Sequence, residues 1–211
     1  KLIFFFHNDP LKLRNSSSIN ERLIIANKTD QIYFVSKWTR NRFFSGLPFK
    51  HRNNCEILYP SIDKVKKLSK KEKIIIFSGK LNSSKGYDLF GKSVIEILNK
   101  YNDWKAIAVG NEPREKHTFY HKRFKIIPWL KHKKILKLYS KSSISVVPSK
   151  WDEPFGRTAM ESSAYGCAVI TSGNGGLPET LIKPIILKKL SINQLFNQVS
   201  KLITNKNTLK K

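Results

Sequence analysis

Nine short apolar runs, at residues 2–6, 31–35, 55–59, 74–77, 104–109, 124–127, 144–147, 168–171 and 185–187, alternate with stretches of helical spacing. Strand, helix, strand, helix is the pattern of parallel sheets covered by helices on both faces. The runs are almost continuously hydrophobic, which suits strands buried on both sides. The expected fold class is therefore α/β with parallel sheets.

Several helix boundaries are written in the chain. Ser18-Ile19-Asn20-Glu21 is a capping box opening a helix to Asn27. Gly46 and Gly166 stop helices over 37–45 and 157–165, and Ser191 caps a last helix toward Ile203. The stretch from Ser61 to Lys73 is polar, charged and without a strand-like run. We read one domain over 1–62, a linker over 63–73 and a second domain over 74–211. A chain of 211 residues has room for one full core, or one core and part of another.

Forty Lys and Arg against fifteen Asp and Glu give a formal charge of +25. Such a charge raises nucleic acid, an anionic membrane surface or a polyanion as partners. The plain reading is composition, because lysine is strewn through the chain alongside abundant Asn, Ile and Ser. Membrane contact stands second and nucleic acid last. Within 117–141, Ile135, Leu136, Leu138 and Tyr139 follow a helical spacing among Lys131, Lys133, Lys134, Lys137 and Lys141. That pattern is a packed helix with a solvated lysine face, or a basic face for anionic lipid.

Two cysteines, with no CxxC pair and no Cys/His spacing, fit a reducing compartment and offer no metal site. No run approaches the roughly 20 apolar residues a membrane helix needs, and the opening run is too short for a signal peptide. A cytoplasmic protein is expected, at the inner face of the membrane if the basic helix docks there. No Gly-x-Ser-x-Gly turn, no phosphate loop ending in Gly-Lys-Ser/Thr and no Gly-x-Gly-x-x-Gly after the first strand occurs, so hydrolase, kinase and dehydrogenase readings lose their support.

The chemistry concentrates in 146–179. Val147 and Pro148 end a strand, a loop carries Glu153-Pro154-Phe155-Gly156, and a helix starting near Gly156 carries Glu161. Ligands of open α/β sheets bind at such carboxyl ends. Bare backbone at Gly156 lets a ligand approach a helix start, whose N–H groups and dipole attract a diphosphate. Glu161 could accept hydrogen bonds from vicinal hydroxyls such as those of a ribose.

Glu153 and Glu161, separated by seven residues around Pro-Phe-Gly, with Gly175-Gly176-Leu177-Pro178-Glu179 downstream, resemble the retaining glycosyltransferases of family 4. Ile76 to Gly86 is similar to that family's strand, Gly-Arg, loop and Lys-Gly, with Lys80 where relatives more often have Arg, so a bidentate grip is lost. Phe6-His7-Asn8-Asp9, Ile32 to Thr39 and Leu58 to Asp63 look like the later half of the family's acceptor domain and its exit. The resemblance implies a GT-B fold of two Rossmann-like domains, the N-terminal one incomplete, with residues 1–6 a strand lacking neighbours and Phe4, Phe5 and Phe6 exposed.

It also implies the transfer of a sugar from a nucleoside diphosphate to a cell-surface glycan or glycolipid, with retention. His7 and Glu153 would be the catalytic residues. Gly79, Lys80, Lys85, Trp129, Phe155, Gly156, Arg157, Thr158 and Glu161 would bind the donor, with Lys80 and Lys85 at the diphosphate and Trp129 at the nucleobase. No cofactor is implied beyond the nucleotide sugar as co-substrate. With no Asp-x-Asp, no metal is expected. The rival is a non-catalytic basic module docking on lipid or RNA, which convergence of Glu153, Glu161 and Lys85 on one cleft would disfavour.

Overall fold

The structure, a computed structural model, describes residues 1–48 and 53–205. Residues 49–52, and 206–211 at the end of the expected second domain, lie outside the described residues.

The chain forms two parallel sheets. The first contains β1 (Ile3–Phe6), β2 (Gln31–Phe34) and β3 (Cys55–Ile57) in that order, linked by α1 (Ile19–Lys28) and α2 (Lys37–Phe44). The expected capping box opens α1: the Ser18 hydroxyl accepts from Glu21 N–H at 3.2 Å, and the Glu21 carboxylate accepts from Ser18 N–H at 2.8 Å. This sheet's core is aromatic. Phe6 stacks on Phe34 at 5.5 Å, and Phe43 meets Phe44 edge-on at 5.2 Å, an arrangement that adds to the burial of each ring.

The expectation that Phe4, Phe5 and Phe6 are exposed is corrected here. Alternation along β1 sends Phe6 into this core, 1% exposed, with Phe4 packed against it, and turns Phe5 to the other face onto Tyr33. Leu2 and Ile3 are the exposed residues of that run, at 52% and 58%.

The second sheet follows from β4 (Glu72–Ser78), α3 (Tyr87–Lys100), β5 (Lys105–Val109), β6 (Phe124–Ile127), α4 (His132–Lys141), β7 (Ser142–Val147), α5 (Arg157–Ala164), β8 (Ala168–Ser172), β9 (Ile185–Leu187) and α6 (Ile192–Thr204). Its order is β6-β5-β4-β7-β8-β9. Ile75 and Phe77 of β4 pack toward α3 and α6 with Leu98 and Leu195, while Ile76 packs toward α4 and α5 with Tyr139 and Ala159. Each of the Ile, Leu and Phe side chains contributes about 1.5 to 3 kcal/mol by leaving water.

β4 begins at Glu72, so it takes in the last two residues of the polar 63–73 stretch. Pairing of Glu72 with Ser142 extends the strand, and its charged residues stay at the wet end, where Glu72 meets Lys141 at 3.3 Å and Lys73 meets Asp103. Just before it, the Lys71 ammonium donates to the carbonyls of Tyr139 and Tyr165, at the ends of α4 and α5, where a cation complements the helix dipoles. Burial lowers the pKa of that ammonium. The strand order reverses between β4 and β7, and a crevice opens at the carboxyl ends of those two strands.

Candidate active site

A cleft of about 350 Å³ lies where the two sheets face each other. His7, Asn8 and Val35 line it from the first sheet, with Pro60 on the crossing segment. From the second sheet come Ser78 at the end of β4 with Gly79 and Lys85 beyond it, and Ser149 and Glu153 to Gly156 after β7 with Arg157 and Thr158 at the start of α5. His7 follows β1 directly and stacks on Phe5, ring centroids 4.5 Å apart.

The loop after β4 is wound by Asn82, whose side-chain oxygen accepts from Lys85 N–H at 3.0 Å and starts a short turn over Ser83–Lys85. That turn aims Lys85 Nζ at Glu153 Oε1, 2.6 Å away, with both groups partly shielded from water. The loop after β7 is tied to it: Ser84 O accepts from Lys150 N–H at 2.9 Å and from Trp151 N–H at 3.0 Å.

Glu153 is backed by the Gly175-Gly176 segment. Gly176 N–H donates to Glu153 O at 2.6 Å, and Asn174 Nδ2 donates to Ser149 O at 3.0 Å. A Cβ on Gly175 would lie 2.2 Å from Glu153 O, and its φ of +65 is a left-handed value. Two backbones touch there, and only glycine permits it.

Gly156 is required for a different reason from the one its position suggests. At φ +133, a Cβ there would lie 2.5 Å from Leu177 Cδ2, so packing against the Gly-Gly-Leu-Pro-Glu segment already demands glycine. No side chain among the described residues caps α5, which leaves the N–H groups of its first turn, where Arg157 and Thr158 line the cleft, with the positive end of the dipole. Beneath this floor, Tyr139 hydrogen-bonds to Ser78 and Thr158, and burial pushes its phenol up to about 12.

The expected site residues therefore divide. His7, Gly79, Lys85, Glu153, Phe155, Gly156, Arg157 and Thr158 line the one cleft. Glu161 lies a turn further along α5, its Oε1 3.1 Å from both the Arg157 guanidinium and His132 Nε2. Lys80 is exposed, and its charge acts on Glu112, whose carboxyl the Arg114 guanidinium beside it holds down to about 2. Trp129 stands 56% exposed ahead of α4. Sequence reasoning missed Asn8, Ser78, Ser149, Tyr139 and His132. The strand ends at Ser78 and Ser149 were a usable signal; for Tyr139 and His132, which come in from α4, there was none. Among the described residues no three His, Cys, Asp or Glu gather as metal ligands, and no helix is long and apolar enough to cross a membrane.

The family model for glycosyl transferases group 1 matches residues 59–211. Spore coat protein SA of Bacillus subtilis is 29% identical over 123 residues, 52% of this chain and 33% of its own. The lipopolysaccharide core biosynthesis mannosyltransferase LpcC of Rhizobium leguminosarum is 29% identical over 114 residues, 49% of this chain and 32% of its own. This chain thus spans about a third of the length of these two relatives. Among solved structures, Anabaena HepE in complex with UDP superimposes with a TM-score of 0.81 and 14% identity, covering 99% of this chain and 64% of that one. At that identity the likeness speaks for the fold, the two-sheet GT-B arrangement.

Proposed function

This chain belongs to the glycosyl transferases group 1 family, and from that premise we propose that it transfers a sugar from a nucleoside diphosphate to a glycan or glycolipid acceptor, with retention of anomeric configuration. The observation that carries the reading is the Lys85–Glu153 pair in the same cleft as the uncapped first turn of α5. Breaking a glycosidic bond to a diphosphate leaves growing negative charge on the leaving phosphate. Lys85 and the α5 N–H groups are a fixed positive site for that charge, and fixed charges stabilise a transition state without reorganising.

Glu153 faces the transferred sugar from the second sheet, and His7 faces it from the first. Glu161 accepts the ribose hydroxyls, held in orientation by Arg157 and His132. Lys80 reaches the outer phosphate and Trp129 borders the base. With Lys85 and the helix supplying positive charge, the reaction is metal-independent.

The acceptor belongs to the surface glycans, in keeping with the name of the Rhizobium relative. The protein works from the cytoplasmic side, touching anionic membrane through α4.

Incubation with UDP-glucose, the ligand of one HepE complex, and with a nucleoside-diphosphate mannose tests the reading. The product should keep the donor's anomeric configuration by NMR, and EDTA should leave turnover intact. Lys85→Ala should lower kcat by about a hundredfold or more. Full activity in Lys85→Ala would remove the lysine from the reaction, and activity lost to EDTA and restored by magnesium would replace it with a metal.

A further inference from the structure

One carboxylate in the second half of the chain is spent on the first sheet. Glu179 lies in the short turn Leu177–Thr180, just beyond the glycines that back Glu153. Its Oε2 accepts from Lys37 N–H at 2.7 Å and its Oε1 from Trp38 N–H at 2.8 Å, the first two amides of α2. The Tyr59 hydroxyl donates to the same carboxylate at 3.0 Å. A negative group at a helix N-terminus satisfies otherwise unpaired donors and meets the positive end of the dipole. Here the group comes from across the cleft.

A second tie runs beside it. Ser36, the residue that caps α2, donates to Pro154 O at 2.6 Å, and Thr39 donates to the same oxygen at 3.2 Å. Both side chains are fully buried between the sheets. Gly176 leaves them that place, since a Cβ there would lie 2.9 Å from Ser36 Oγ and 2.4 Å from Pro154 O.

At its other end α2 holds the loop that carries His7. Arg42 grips Asp9 through two bonds, of 3.1 and 3.0 Å, and Asp9 is 3% exposed. A continuous path therefore runs from Glu179 through α2 and the Arg42–Asp9 pair to His7 and Asn8, which line the cleft opposite Glu153.

We infer that Glu179 is a positioning residue: by holding the N-terminus of α2 it sets how the His7–Asn8 loop sits over Glu153, and it must release α2 for the cleft to open. This rests on the transferase reading for its consequence in turnover, but not for its geometry. Misplacing one wall of a cleft lowers the rate without removing the site on the other wall.

The test uses the whole chain labelled at two exposed positions, Lys28→Cys on α1 and Lys201→Cys on α6, since Cys55 and Cys167 are buried. Spin-label distance distributions, UDP affinity by calorimetry and kcat are compared for Glu179 and its variants. Glu179→Ala should broaden and lengthen the distance distribution and lower kcat by about tenfold or more, with UDP affinity changed by less than about twofold. Glu179→Gln, which keeps an acceptor for one amide, should fall between.

If Glu179→Ala does not fold, Glu179→Gln and Tyr59→Phe, which deletes only one of the three bonds, decide the matter. Unchanged distances in these variants overturn the inference, as does a loss of UDP affinity equal to the loss in kcat. A wild type that turns over no sugar nucleotide removes the transferase reading, and the distance distributions still decide the latch.

Discussion

Glu161 is a residue whose surroundings refine what its spacing announced. Its oxygen is shared by the Arg157 guanidinium and the His132 ring and sits a turn behind the cleft lining, so these two groups fix the orientation of its carboxylate. Replacing it by alanine should weaken UDP binding by about ten- to a hundredfold, the worth of a charge-assisted hydrogen bond. Titration calorimetry checks this, and an unchanged affinity would take the ribose away from Glu161. Gly175 is a sharper case, because any side chain there collides with Glu153 O. Gly175→Ala should displace Glu153 and lower kcat by about tenfold or more, with a smaller change in UDP affinity. Glu153 and Lys85 were legible because each follows a strand end at a motif's spacing. The guard on Glu161 was not, since His132 arrives from a separate element and nothing local announces the meeting.

At the scale of elements, the apolar runs mark all nine strands of the described residues to within a residue or two. Strands buried on both faces have no polar alternation to blur them. Their order in the sheet was not legible, since β4 has β5 on one side and β7 on the other, a crossover no local pattern encodes. Nor was the start of β4, because charges at its wet end read as linker. Helices with side-chain caps can announce themselves, as those at Ser18 and Ser191 do, whereas α3 begins at Gly86 with none. Helix α4 has both of its expected faces: Ile135 and Tyr139 are buried, while Lys133, Lys134, Lys137 and Lys141 are exposed. Lysines near an anionic surface contribute about 1 kcal/mol each, so Lys133→Ala with Lys137→Ala should lower vesicle partition by about thirtyfold at low salt. Flotation with anionic and neutral vesicles measures it, and equal recovery with both would leave composition as the meaning of the charge.

For the molecule as a whole, burial sets the alkaline limit of stability. Tyr87 and Tyr139 are pushed from 10.0 up to about 12, and Cys167 from 9.0 up to about 11, each chiefly because a charged form would lose its water. The unfolded chain gives up these protons first, so the stability they carry is complete below pH 9. It falls as pH rises through 11 and 12, by about 1.4 kcal/mol per unit for each group that titrates only in the unfolded state. Lys71, its pKa lowered by burial, works the other way and only softens the fall. Urea midpoints from pH 8 to 11 should drop steeply above 9.5, and Tyr139→Phe should flatten the drop; a level profile would mean these groups take up water in the folded protein. The reversal of strand order has a further consequence, for the chain as it is made. β4 waits in the middle of its sheet for β7, which a ribosome delivers only after α3, β5, β6 and α4. At about 5 to 20 residues per second, the edge of Ile74 to Phe77 stays open for seconds in every nascent chain, an invitation to a chaperone or to a neighbouring copy.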